Sequence, residues 1–104
     1  MDFNNITNRI KSINTNIKFV GTFDDNNQKT GYWEEYYYDG NIESKGNFLN
    51  GIKHGFWEEF FSNGKLAWKG NYKNGLKEGY WEYYWPSGKL DWKGYYKNGI
   101  EYEF

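Results

Sequence analysis

The sequence predicts an all-β fold, a single-layer antiparallel meander built from tandem two-strand repeats, and three observations predict it. Aromatic residues make up 24% of the chain while Val and Leu are scarce. Short aromatic runs alternate with Asn-Gly, Asp-Gly and Ser-Gly, the dipeptides that suit tight hairpin turns. The whole pattern recurs in register along the chain. Two-strand units joined only by tight turns give one elongated, twisted sheet, here of about seven strands.

The repeat is explicit. GYWEEYYYDGNIESKGNFLNGIKH, GFWEEFFSNGKLAWKGNYKNGLKE and GYWEYYWPSGKLDWKGYYKNGIEY align without gaps from Gly31, Gly55 and Gly79, a period of 24 residues. Four glycine columns recur, led by Gly31, Gly55 and Gly79, and so do columns of Trp (Trp33, Trp57, Trp81), Glu (Glu34, Glu58, Glu82) and Lys (Lys45, Lys69, Lys93). The domain organisation is therefore an N-terminal cap segment, 1–18, and a repeat sheet, 19–104. The sheet divides into a degenerate half-repeat, 19–30, and repeats 31–54, 55–78 and 79–102. Within repeat 2 the first strand reads GFWEEFF, the first turn SNG, the second strand KLAWKGNYK and the second turn NG.

Two registers compete at the first turn. A two-residue Asn63-Gly64 loop would set Glu58 opposite Lys69, Glu34 opposite Lys45 and Glu82 opposite Lys93, each pair contributing a few tenths of a kcal/mol to about 1 kcal/mol. Pro86-Ser87-Gly88 instead suits a type I turn followed by a left-handed glycine, a three-residue loop. The three-residue loop is preferred, because a type I′ turn would force Ser87 to positive φ at about 1–2 kcal/mol. It would put Phe56, Phe60, Leu66, Trp68, Gly70 and Tyr72 on one face, and Trp57, Phe61 and Lys69 on the other, with Lys69 over the Trp57 ring. Gly46, Gly70 and Gly94 are expected to admit a ring from the next strand.

At the ends, Ile6, Ile10, Ile13 and Ile17 fall at helical spacing behind Asn5, which predicts a short capping helix. The alternative is a disordered start followed by a strand from about Asn16. Ile100 to Phe104 reads as the stub of a fourth repeat and could leave an open strand edge.

Composition narrows function. The net charge of −1 argues against a nucleic-acid partner and against an anionic membrane. With no cysteine and one histidine, His54, neither a thiol nucleophile nor a typical zinc site can be assembled. Adjacent carboxylates such as Glu34 and Glu35, or Glu58 and Glu59, point to opposite faces of a strand and read as solvated partners of Lys, not as acid–base pairs. No phosphate-binding glycine motif is present. The expectation is a cytoplasmic protein with no catalytic residue, no metal site and no cofactor. The start, MDFNNITNRIKSIN, lacks the apolar core of a signal peptide.

The turn and strand motifs resemble the MORN repeat in its longer bacterial and viral form, over roughly residues 19–104. Trp85-Pro86-Ser87-Gly88 matches the first turn of that family, Lys69-Gly70-Asn71-Tyr72 with Asn74-Gly75 its second strand and turn, and Asn50-Gly51-Ile52-Lys53-His54-Gly55 its linking loop. The unit departs by one added residue and by Trp where the usual repeat has a second strand-opening glycine. The resemblance implies a curved single-layer sheet used for interaction or scaffolding, with lipid contact a lesser option, and the longer unit looks like that of bacterial antitoxin or immunity proteins. The implied partner is another protein, a toxin in that version. Self-association through a sheet face or the C-terminal edge is the alternative. The candidate binding residues are Leu66, Trp68, Tyr72, Leu90, Trp92 and Tyr96, expected to share one face as stacked aromatic rows. On that reading Trp92→Ala should weaken partner binding by about 2 kcal/mol.

Overall fold

The computed structural model describes residues 18–102, and they form strands joined by tight turns. The strands are β1 (Phe19–Phe23), β2 (Lys29–Tyr36), β3 (Ile42–Leu49), β4 (Ile52–Phe60), β5 (Leu66–Lys73), β6 (Leu76–Tyr84), β7 (Leu90–Lys97) and β8 (Ile100–Tyr102). They lie in one eight-stranded antiparallel sheet in strict chain order. The eighth strand is the stub read at the C-terminal end. The expected capping helix, with Ile6 to Ile17, lies outside the described residues, as do Glu103 and Phe104. The dimensions, 53 × 30 × 14 Å, are those of a single layer. Among the described residues no helix is long and apolar enough to cross a membrane.

The second turn of each unit is a two-residue hairpin loop. Asn50 and Gly51 have φ of 54° and 79°, and the same signature recurs at Asn74-Gly75 and Asn98-Gly99. Both central residues are left-handed, as a type I′ turn requires. The linking segment is thus shorter than the family resemblance suggests, and His54 sits inside β4, opposite Asn47.

The first turn resolves the register conflict by satisfying both signals. Phe61 N–H donates to Lys65 O, Gly64 N–H donates to Phe61 O, and Gly64 has φ of 90°, the expected three-residue loop with a left-handed glycine. Phe60 accordingly pairs with Leu66. A β-bulge then shifts the ladder by one residue, so that Glu59 pairs with Trp68 and Glu58 with Lys69. The same shift appears at Tyr36–Ile42 and Tyr84–Leu90.

That one-residue shift corrects the assignment of faces. Side chains of paired residues share a face, so Trp57, Trp68, Gly70 and Tyr72 lie together, while Phe56, Phe60, Leu66 and Lys69 lie on the other side. Leu66 and Leu90 therefore do not join Trp68, Tyr72, Trp92 and Tyr96, and Lys69 does not cover Trp57.

The core is the tryptophan column. Trp33, Trp57 and Trp81 are 1%, 2% and 0% exposed, although the described residues form a single sheet. Each indole lies flat on a glycine one strand back, as expected for Gly46 and Gly70. A Cβ at Gly46 would lie 2.2 Å from Trp57 Cδ2, one at Gly70 2.1 Å from Trp81 Cδ2, and one at Gly21 2.2 Å from Trp33 Cδ2. Phe48 and Tyr72 present ring edges to Trp57, at centroid distances of 5.0 and 6.5 Å. The Trp57 indole N–H donates to Asn47 O at 2.9 Å, and that of Trp81 to Asn71 O at 3.1 Å. These carbonyls lie where a second irregularity, at left-handed Gly55 and Gly79, shifts the ladder. Burying such a ring removes roughly 150–250 Å² from water, on the order of 4–6 kcal/mol before ordering costs.

Candidate interaction surface

Above the indoles the tryptophan face is closed by charge. Lys53 Nζ sits 4.7 Å from the centre of Trp57 and 5.2 Å from Tyr72, and is held there by Glu59 at 3.1 Å. Lys29 does the same over Trp33 and Phe48, paired with Glu35 at 3.0 Å. In repeat 3 Tyr83 replaces the glutamate, and Lys77 Nζ donates to its hydroxyl at 2.5 Å while lying over Trp81 and Tyr96. Each lysine stem thus caps a ring through cation–π contact, and its ammonium stays half in water.

Of the predicted binding residues, Trp68, Tyr72, Trp92 and Tyr96 are brought together on this face, all half-buried. Trp68 packs on Tyr83 (6.1 Å), and Trp92 packs on Tyr83 and Tyr96 (5.5 and 6.0 Å). Tyr83 and Tyr96 share a hydroxyl contact of 3.2 Å. Burial, then that hydrogen bond, pushes the Tyr96 hydroxyl up to about 12. Leu66 and Leu90 stand on the opposite face, paired with Phe60 and Tyr84.

The opposite face carries the exposed rings. Tyr32, Phe56 and Tyr80, each one residue before a buried Trp, are 52%, 49% and 40% exposed. They occupy alternate strands, so their spacing is two inter-strand steps, roughly 9–10 Å. At the C-terminal end the row widens, because Tyr80 packs against Tyr95 and Tyr95 against Tyr102, at 5.4 and 6.2 Å. Leu90, 45% exposed, stands on the same face at the far end of β7, opposite Tyr84.

Between the rings runs a polar ladder. Tyr32 donates to Glu34 Oε2 at 2.8 Å, and Tyr36 donates to Glu34 Oε1. Tyr80 and Tyr84 do the same to Glu82, at 2.7 and 2.5 Å. The Tyr36 hydroxyl, then that of Tyr32, holds the Glu34 carboxyl below its usual value, and Tyr84 and Tyr80 do so for Glu82. The hydroxyls respond in the opposite sense. Tyr32 is pushed up to about 12 by burial and then by Glu34, and Tyr36 and Tyr80 to about 12 first by the hydrogen bond each gives its glutamate. In repeat 2 Phe56 and Phe60 replace the tyrosines, and Glu58 turns to Lys45 at 3.5 Å. Lys69 reaches Glu82 at 3.5 Å. The ion pairs therefore link successive repeats, although each Glu–Lys register pair also exists within a hairpin.

This row was missed from sequence because the bulge was not foreseen. The available signal was parity. The residue before each Trp must face away from it, and the Glu–Lys pairs place that residue's neighbours on the same side.

The remaining titratable groups are dispersed. Glu34 and Glu35 lie on opposite faces, as do Glu58 and Glu59, in keeping with the strand alternation. His54 is exposed and borders a cavity of about 100 Å³ with Leu49, Asn50, Ile52, Lys53 and Asn74. Among the described residues no group of three or more His, Asp or Glu side chains could hold a metal ion. A scan against protein-family models finds no match to the chain, and a search of curated proteins finds none either.

Proposed function

We propose that this is a non-enzymatic protein–protein interaction module of the MORN-like type, and that its partner binds the Tyr32, Phe56 and Tyr80 face. The observation that carries this is the row of large rings left about half exposed, at regular spacing, on the face opposite a closed core. Tyr and Phe at such a position offer much contact area for little lost side-chain freedom, and exposed apolar rows of this kind mark interaction surfaces. The Glu–Lys ladder between them would orient the partner and reject mismatched charge. The carboxylates that could serve catalysis are already engaged with Lys or Tyr, which supports a binding role over chemistry. If it is an antitoxin or immunity protein, as the resemblance of the longer unit suggests, its partner would be a toxin and its location cytoplasmic.

The test begins with capture of the partner from the native organism, followed by calorimetric titration of purified components. Phe56→Ala and Tyr80→Ala should each weaken binding by about 2 kcal/mol with small changes in stability. Trp92→Ala, on the other face, should leave affinity nearly unchanged. The opposite ranking would return the interface to Trp68 and Trp92. Sedimentation of the chain alone should show a monomer, and strong self-association would favour a scaffold.

A further inference from the structure

The repeats satisfy one carboxylate position in two different ways. Glu34, Glu58 and Glu82 hold the same place in the unit, in the middle of the exposed face. Glu34 accepts hydroxyl hydrogen bonds from Tyr32 and Tyr36, two residues before and two after it. Glu82 accepts them from Tyr80 and Tyr84, at 2.7 and 2.5 Å. Glu58 has Phe56 and Phe60 at those places, and a phenyl ring has no hydroxyl to give. Among the described residues the one ion pair to its carboxylate comes from Lys45, 3.5 Å from Oε1. Glu82 has the matching lysine as well, Lys69 at 3.5 Å from Oε1, so the lysine does not stand in for the hydroxyls.

Glu58 thus offers an acceptor oxygen with an aromatic ring on either side. Phe56 is 49% exposed and the Glu58 side chain 25%, so the place can be reached from outside. Phe56 and Phe60 are four residues apart on one strand, roughly 13 Å, which leaves room for a further ring above the carboxylate. Residues 1–17 and 103–104 hold no tyrosine that could supply it. Charge selects among the donors a partner could bring. Lys45 and Lys69 pair with Glu58 from the two neighbouring strands, so an incoming Arg or Lys would be repelled from both sides. A neutral hydroxyl escapes that repulsion, and a phenol adds a ring to pack against Phe56 and Phe60.

We infer that the partner places a tyrosine in repeat 2, its ring between Phe56 and Phe60 and its hydroxyl donating to Glu58. The partner would complete there the arrangement that repeats 1 and 3 make from their own side chains. The inference rests on the reading that a partner protein binds the Tyr32, Phe56 and Tyr80 face, and it names the group by which that partner is recognised. A tyrosine in such a place is an aromatic anchor with a charge-assisted hydrogen bond at its tip.

The test titrates the full chain with N-acetyl-tyrosinamide, followed by NMR. Saturable shifts of the Glu58 carboxyl carbon and of the Phe56 and Phe60 ring protons are expected. N-acetyl-phenylalaninamide, which lacks only the hydroxyl, should bind about tenfold more weakly, as loss of a hydrogen bond to a charged group implies. N-acetyl-argininamide should bind no better than the phenylalanine probe. The double variant Phe56→Tyr, Phe60→Tyr copies repeats 1 and 3 and should close the site. Tyr80→Phe, Tyr84→Phe should open a second one, with shifts at Glu82. The inference fails if the tyrosine probe gives no saturable shift, if either other probe matches it, or if the two double variants leave its binding unchanged. With the captured partner, the closing variant should weaken binding about tenfold. If Phe56→Ala weakens the partner and the closing variant does not, the tyrosine contact is wrong and the face stands. If neither matters, the face reading falls, and this inference with it.

Discussion

Phe56 and Trp57 are neighbours in β4, yet Trp57 is 2% exposed and Phe56 49%. The same contrast separates Tyr32 from Trp33 and Tyr80 from Trp81. What differs is the floor and the lid. Trp57 lies on Gly46, is flanked by Phe48 and Tyr72, and is capped by Lys53. Phe56 lies beside Asn71, where no glycine lets it sink. Among the described residues, one face of a single sheet is therefore buried where each ring has a glycine beneath it and a lysine stem above. The other face remains available for a partner.

The largest effect that would sharpen this contrast is on stability. Trp57→Ala should cost about 3–5 kcal/mol, the usual range for a buried ring, while Phe56→Ala should cost under about 1 kcal/mol. Urea unfolding of the two variants measures both. Equal losses would mean that the two faces share the core. Next comes the floor. Gly70→Val should cost well over about 1 kcal/mol, since its Cβ would meet Trp81 at 2.1 Å. An unchanged melting temperature would show that the indole does not rest there.

The smallest effect is on pH dependence and belongs to the exposed face. Glu34 and Glu82 have folded values below the ordinary 4.5, so their contribution is present above that pH and is lost as pH falls through the lowered value. Tyr32, Tyr36 and Tyr80 are raised from 10.0 to about 12, so their contribution is complete below pH 10 and is lost as pH rises from 10 to 12. Thermal melts should fall modestly at both ends. In the double variant Tyr80→Phe, Tyr84→Phe, which copies repeat 2, the falls should be smaller. Identical profiles would show that the ladder does not couple to folding.

Much of this was legible in the sequence. Repeat period, Asn-Gly hairpins, the loop at Pro86-Ser87-Gly88 and the cradling role of Gly46 and Gly70 all follow from turn chemistry and from the size of the rings. The face of each side chain did not, because it depends on a count that one residue inverts. The loop and the charge pairs each point correctly, but without a bulge they exclude each other. The bulge at Leu66 and Ala67 admits both, and it moves Leu66 and Leu90 away from Trp68 and Trp92. The bulged position is Ala67 in repeat 2 but Glu43 and Asp91 in the others, so side-chain type at that place does not announce the irregularity. The binding rows proposed from sequence were in part the walls of the core.

Hydroxyl-radical footprinting read residue by residue by mass spectrometry tests the division of faces most directly. In the free protein Tyr32, Phe56 and Tyr80 should be oxidised readily, and Trp33, Trp57 and Trp81 slowly, despite the greater intrinsic reactivity of indole. Adding the captured partner should protect the first set and leave the second unchanged. Trp57 and Trp81 oxidising as fast as Phe56, or partner protection confined to Trp68 and Trp92, would contradict the account.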